Sequence, residues 1–128
     1  MLPPKFKKCI ELCQQCASMC EACINICLGE KDVNPLATII ARCRDLAGIA
    51  ALTARLMQSR SRYAYELAAV CAEVARACAD KCMTHSEINA CRKCADACYE
   101  CADECRDIAR QKKNLVFSTT PHREFAMH

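Results

Sequence analysis

The stretch Cys9-Ile10-Glu11-Leu12-Cys13-Gln14-Gln15-Cys16-Ala17-Ser18-Met19-Cys20-Glu21-Ala22-Cys23-Ile24-Asn25-Ile26-Cys27 spaces its cysteines by 4, 3, 4, 3 and 4 residues. That alternation is the heptad spacing of a helix face turned toward a core. The run Cys13, Cys16, Cys20, Cys23, Cys27 returns, gap for gap, 78 residues later as Cys91, Cys94, Cys98, Cys101, Cys105. Two helices therefore present seams of thiols where other bundles present leucine. Such a seam suits a soft metal.

The chain has 128 residues, enough for one domain with a single core. Fifteen cysteines, about 12%, would ordinarily suggest a disulfide scaffold. Three observations oppose that. The count is odd, so one thiol stays unpaired within a monomer. The opening residues Met1-Leu2-Pro3-Pro4-Lys5-Phe6-Lys7-Lys8 show neither an apolar h-region nor a twin-arginine pair. Helix neighbours three or four apart hold their Cβ atoms about 5–6 Å apart, whereas a disulfide needs about 3.5–4.5 Å. Reduced thiols and a cytosolic protein are expected. A net charge of +3, from 18 basic and 15 acidic residues mixed along the chain, gives no nucleic-acid footprint. The short basic cluster Arg55, Arg60, Arg62 reads as solvated residues at a turn. No apolar run approaches the roughly 18 residues of a membrane span.

Two glycines and four prolines punctuate an all-α, antiparallel up-down-up-down four-helix bundle with a cysteine-lined core. The first helix is expected over Lys5–Leu28, with Gly29 in the left-handed position just past its end. After the loop Glu30–Val33, Asn34 is expected to cap a second helix, with Pro35 at its first position, running to Gln58. Gly48 inside it costs about 1 kcal/mol against alanine, and a close helix contact is the expected reason. Ser59-Arg60-Ser61-Arg62 turns the chain into a third helix, Tyr63–Met83. Thr84-His85-Ser86-Glu87 reads as a capping box opening the fourth, which ends near Lys113. The bundle is thus assigned to residues 1–113 and a flexible tail to 114–128.

Antiparallel order stacks Cys27 near Cys91, Cys20 near Cys98, Cys13 near Cys105, and Cys43 level with Cys78 and Cys20. One end then gathers Cys23, Cys27, Cys43, Cys78, Cys82, Cys91 and Cys94. The other has Cys9, Cys13, Cys101 and Cys105 facing Met57, Leu67 and Tyr63. Cys16 and Cys71 complete the candidate metal ligands, together with His85.

A lone buried cysteine such as Cys43 reads as a small hydrophobe, but long heptad runs of them do not, since leucine fills such positions better. Two metal–sulfur bonds of about 2.3 Å, on the zinc value, span about 4.6 Å in line, which suits i,i+3 and i,i+4 thiolates. Cu(I) is thiophilic and satisfied by two or three such ligands. Zinc wants four at tetrahedral angles, which one straight seam does not offer. A Zn(Cys)4 unit also carries two negative charges, whereas one Cu(I) per thiolate is neutral. Loading releases roughly one proton per thiol ionised. Without metal, neutral thiols with Leu12, Ile26, Leu46, Ile49 and Leu67 are expected to make an apolar core.

The strings Cys9–Cys23 and Cys91-Arg92-Lys93-Cys94-Ala95-Asp96-Ala97-Cys98-Tyr99-Glu100-Cys101-Ala102-Asp103-Glu104-Cys105 resemble the bacterial copper storage proteins, most of all the cytosolic branch. The resemblance covers roughly Lys8 to Arg110. It implies a four-helix bundle holding many Cu(I) ions, assembled as a homotetramer, with copper chaperones or small thiols as exchange partners. It also implies a histidine near the third turn at a mouth of the tube, the place of His85. This chain departs from the family where Leu46, Ala50, Ala68 and Ala75 stand in phase instead of cysteine. Capacity should fall below that of fuller relatives, with about 15 Cu(I) as the upper scale.

Other residues invite blander readings. His85 reads equally as a loop residue and as a ligand for entering copper. Met57 reads as core packing, Met19 and Met83 as packing beside the seams, and His122, Met127 and His128 as tail residues. Iron–sulfur motifs sit in loops, often with a following proline, unlike these mid-helix pairs. A copper-sensing regulator needs fewer thiols and a basic face. A metallothionein-like zinc or cadmium buffer would lack heptads. No acid–base pair or nucleophile–base arrangement supports an enzyme.

Overall fold

In a computed structural model the chain is described over residues 2–118, with side chains through Lys112. Helix α1 spans Pro4–Leu28, α2 Ala37–Gln58, α3 Ala64–Met83 and α4 Asn89–Ser118, and a single 3-10 turn, Asn34–Leu36, precedes α2. Each helix packs on its neighbours in sequence, and α1 packs on α4 to close the ring. The four helices therefore stand antiparallel around one core. Helix α4 continues past the expected end at Lys113, and the tail residues 119–128, with His122, Met127 and His128, lie outside the described residues.

The core is sulfur and small apolar groups. All fifteen cysteines are buried, with Leu46, Ala50, Met57, Ala64, Ala68 and Ala75 from α2 and α3 beside them. Thr53 is the one buried polar side chain among the described residues, and its hydroxyl donates to the Ile49 carbonyl at 2.7 Å. Larger side chains fill the ends: Leu36, Ile39 and Ile40 at one, Phe6, Ile10 and Ile108 at the other. Phe6 meets Tyr65 edge-on, with ring centroids 5.7 Å apart. Outside, Lys5 and Lys8 pair with Glu104 of α4, and the Tyr99 hydroxyl of α4 donates to Asp80 of α3 at 2.6 Å.

Several local expectations are corrected. Ile26 is 49% exposed and Leu12, Ile49 and Leu67 only partly buried, so of the five expected core residues Leu46 alone is fully enclosed. Tyr63 is exposed as well, and the tube at its level is lined by Ala64 and Ala68, one helix position further on. Asn34 does not cap α2; its N–H donates to the Asp32 carboxylate while Asn34-Pro35-Leu36 forms the 3-10 turn. The Thr84 hydroxyl turns back to the Lys81 carbonyl at 2.6 Å instead of capping α4, which starts later, at Asn89. Gly29 is right-handed, with φ −85. The left-handed position falls at Arg60, φ 55, where its N–H reaches Met57 O and the Ser61 N–H reaches Leu56 O, the paired bonds of a Schellman end to α2.

Gly48 is on the exposed face of α2, and a Cβ built there would meet nothing within 4 Å. No close helix contact within the bundle explains it. Gly48→Ala should therefore raise the stability of the reduced, metal-free protein by about 1 kcal/mol in chemical denaturation. A loss of stability would mean that another surface covers this face of α2.

Candidate metal centre

Heptad phase places one thiol per helical turn on the inner faces of α1 and α4, and the antiparallel register interleaves them. Cys27 and Cys91 stand 3.8 Å apart, Sγ to Sγ, and Cys13 and Cys105 3.6 Å. Cys43 of α2 lies 3.6 Å from Cys78 of α3 and 3.9 Å from Cys94. Cys20 and Cys98 share a group with Cys78 and Cys94. These pairings are the ones that the register predicts. All fifteen are free thiols.

Four groups have sulfurs within 4.8 Å of one another: Cys23/Cys27/Cys91, Cys23/Cys43/Cys82/Cys94, Cys20/Cys78/Cys94/Cys98 and Cys13/Cys71/Cys101/Cys105. The first three are chained, because Cys23 belongs to two and Cys94 to two. Cys9 sits at the far end, 3.6 Å from Cys105, and Cys16 stands between, 3.8 Å from Cys98. Every candidate cysteine thus lies in one column of sulfur.

Two expectations change here. Cys71 of α3 joins the far group expected to hold Cys9, Cys13, Cys101 and Cys105, 3.9 Å from Cys101. Its place was visible in the phase Cys71, Ala75, Cys78, Cys82, whose gaps are 4, 3 and 4. The exclusion of zinc on geometry also fails. Three of the groups draw four thiols from three or four helices, and at about 2.3 Å per bond a tetrahedral ion needs its sulfurs about 3.8 Å apart, a trigonal one about 4.0 Å. The observed 3.6–4.0 Å serves both. Sulfur spacing alone therefore does not separate them.

His85 does not join the thiols. Its Nδ1 meets the Glu87 carboxylate at 3.3 Å on the α3–α4 turn, and no group includes it. Cys82, three residues before it, and Cys27 at the same end of the column are fully buried. A cleft of about 280 Å3 does approach the column nearby, lined by Met19, Cys23 and Ile26 of α1 and by Ile88, Asn89 and Lys93 at the start of α4.

The thiols of the column are not equivalent. Hydrogen bonds from Cys105 and Cys13 hold Cys9 down to about 5, and those from Cys105 and Cys13 hold Cys101 down to about 6. Cys101, then Cys20 and Cys98, draw Cys16 down to about 2. Their neighbours move the other way: Cys101 pushes up both Cys13 and Cys105, and Cys16 pushes up Cys20 and Cys98. Near the loop end, burial and then the charge on Cys23 raise Cys27 to about 11. Hydrogen bonds within the column thus favour the thiolate at some cysteines and the neutral thiol at their neighbours, and a favoured thiolate is a ready ligand for a cation.

Comparison with known proteins agrees with this chemistry. Residues 3–110 match the family described as copper storage protein. The chain is 38% identical over 87 residues to the uncharacterized cysteine-rich protein YhjQ of Bacillus subtilis (strain 168), covering 68% of this chain and 80% of that protein. Among solved structures it is similar to copper storage protein 3 from Bacillus subtilis in its apo form, at TM-score 0.76 and 37% identity, over 80% of this chain and 97% of that one. The Cu(I)-bound copper storage protein BsCsp3 gives TM-score 0.79 at 36% identity, over 82% and 98%. A cytosolic copper storage protein from Streptomyces lividans, described with five coppers, gives TM-score 0.79 at 32% identity, over 83% and 92%. A four-helix bundle filled with a continuous column of free thiols, matched by the family over almost its whole described length, belongs to the copper storage proteins.

Proposed function

We propose that this protein stores many Cu(I) ions along its thiol column, in the cytoplasm, as a sink and reserve rather than as a catalyst. The observation that carries this is the overlap of the thiol groups. Isolated four-thiol sites would suit a few separate divalent ions. Sulfurs shared between neighbouring groups suit an ion that accepts two or three ligands and shares them. Charge points the same way, because matched Cu(I) and thiolate add no net charge to a buried column, whereas each zinc held by four thiolates adds two negative charges. The ligands are all fifteen cysteines, Cys9 to Cys105, with His85 as an outer ligand for entering copper. A homo-oligomer is part of the proposal, with Ile26, Leu28, Val70 and Met83 as exposed apolar side chains available for its contacts. Copper would come from and leave to copper chaperones or small thiols.

The four-thiol groups give zinc or cadmium buffering a specific claim, and one titration separates the two. Anaerobic addition of Cu(I) to reduced protein, followed by mass spectrometry under native conditions, should run toward about 15 ions per chain, near one per thiol. Zinc should stop at about three, one for each four-thiol group. Saturation by Cu(I) at three or four ions would sink the storage reading.

Replacing Cys20, Cys23, Cys94 and Cys98 together by alanine removes the sulfurs shared along the middle of the column. The variant should keep its helical circular dichroism yet lose several ions of capacity; undiminished capacity would refute the continuous column. His85→Ala should slow removal of copper by an external chelator while final capacity stays within one ion of the parent. Equal removal rates would leave His85 as a turn residue.

A further inference from the structure

The column has a waist. Above it lie the chained groups from Cys27 and Cys91 down to Cys20, Cys78, Cys94 and Cys98; below it lies the group Cys13, Cys71, Cys101 and Cys105 with Cys9 beyond. The upper and lower groups share no member. Between them the inward positions of α2 and α3 carry no sulfur: beyond Cys43 they are Leu46 and Ala50, and between Cys71 and Cys78 the position is Ala75, all fully buried. Cys16 of α1 occupies this level and reaches both sides. Its Sγ is 3.8 Å from Cys98 above, and one helical turn below it on α1 stands Cys13, 3.8 Å from Cys101 of the lower group.

The two chambers also differ in access. The cleft between α1 and α4 reaches Cys23 of the upper chamber. The larger grooves, along α1/α4 at Glu11–Met19 and along α3/α4 at Tyr65–Arg76, are lined by no thiol. At its outer end the lower chamber is covered by buried Phe6, Met57 and Ile108, with Tyr65 packed on Phe6. Copper arriving at the upper end therefore has to cross the waist to fill the lower chamber.

We propose that Cys16 is the relay by which Cu(I) crosses between the chambers, making them one store; this rests on the storage function above. An ion held by Cys98 and its neighbours forms a bond to the Cys16 sulfur as one upper Cu–S bond breaks. It then bonds to Cys101 as the Cys98 bond breaks. At each exchange the proton of any incoming S–H passes to the departing thiolate, and copper remains Cu(I). Without Cys16 no sulfur of α1 stands between Cys20 of the upper group and Cys13 of the lower, and a crossing ion loses the ligand that α1 supplies at the waist.

The test compares the parent with Cys16→Ala, Cys16→Ser and the control Cys9→Ala, which removes one equally buried thiol from the end of the column. All are reduced, checked for helical circular dichroism, and mixed anaerobically with excess Cu(I) in stopped flow. Native mass spectrometry counts the ions at each time. Cys9→Ala should fill like the parent with about one ion fewer. Both Cys16 variants should fill in two phases, the second at least about tenfold slower than the parent, with an intermediate that holds the upper chamber's copper alone. The serine variant keeps the volume of the side chain, so an alanine variant that failed to fold would leave the comparison intact. Single-phase filling of the Cys16 variants at the rate of Cys9→Ala would overturn the relay while leaving storage standing. A parent that binds only a few ions would overturn both.

Discussion

Sulfur has to be buried in two states, and the rest of this structure follows from that. Fully enclosed thiols behave as small hydrophobes while most keep their protons, so an empty column can serve as a core. The same groups, ionised, would be intolerable without cations beside them. Cu(I) resolves the conflict because each ion brings one positive charge and asks for few ligands. Leu46, Ile39, Ile108, Phe6 and the alanines of α2 and α3 supply apolar surface that offers copper no ligand, so the bundle is expected to form without metal. This separates the protein from small zinc domains, whose folding free energy comes from the metal.

Register turns that core into a column. Antiparallel packing of α1 on α4 sets equivalent thiols opposite each other, and the sulfur contacts of 3.6–4.0 Å are close to what three-coordinate and four-coordinate ions require. Helices α2 and α3 contribute Cys43, Cys71, Cys78 and Cys82 only where α1 and α4 need a third or fourth ligand. Elsewhere they fill space with alanine, leucine and methionine. The outcome is two chambers of different size joined at Cys16, with a surface cleft beside the larger.

The architecture and the column were legible in the sequence because heptad spacing is a long, redundant signal. The offset between the two thiol runs fixes which residues meet, and pairs such as Cys27 with Cys91 or Cys43 with Cys78 appear where the register puts them. Helix ends were less legible. Thr84 and Glu87 have capping-box spacing, yet the hydroxyl satisfies Lys81 O and the carboxylate meets His85, since local bonds of similar strength compete at a turn. Gly29 looked like the left-handed residue, but Arg60 holds that conformation because the Schellman bonds at the end of α2 require it there. The geometric case against zinc failed for a deeper reason. One seam offers a line of ligands, and only the packing of helices shows that lines combine into four-sided groups.

The preformed column is the central claim, and far-UV circular dichroism of the reduced, metal-free protein, repeated after anaerobic Cu(I) loading, tests it most directly. A strongly helical spectrum before copper, little changed after it, is the expected result. A random-coil spectrum that becomes helical only when copper is added would contradict it, and would make the metal, not the thiol core, the source of the fold.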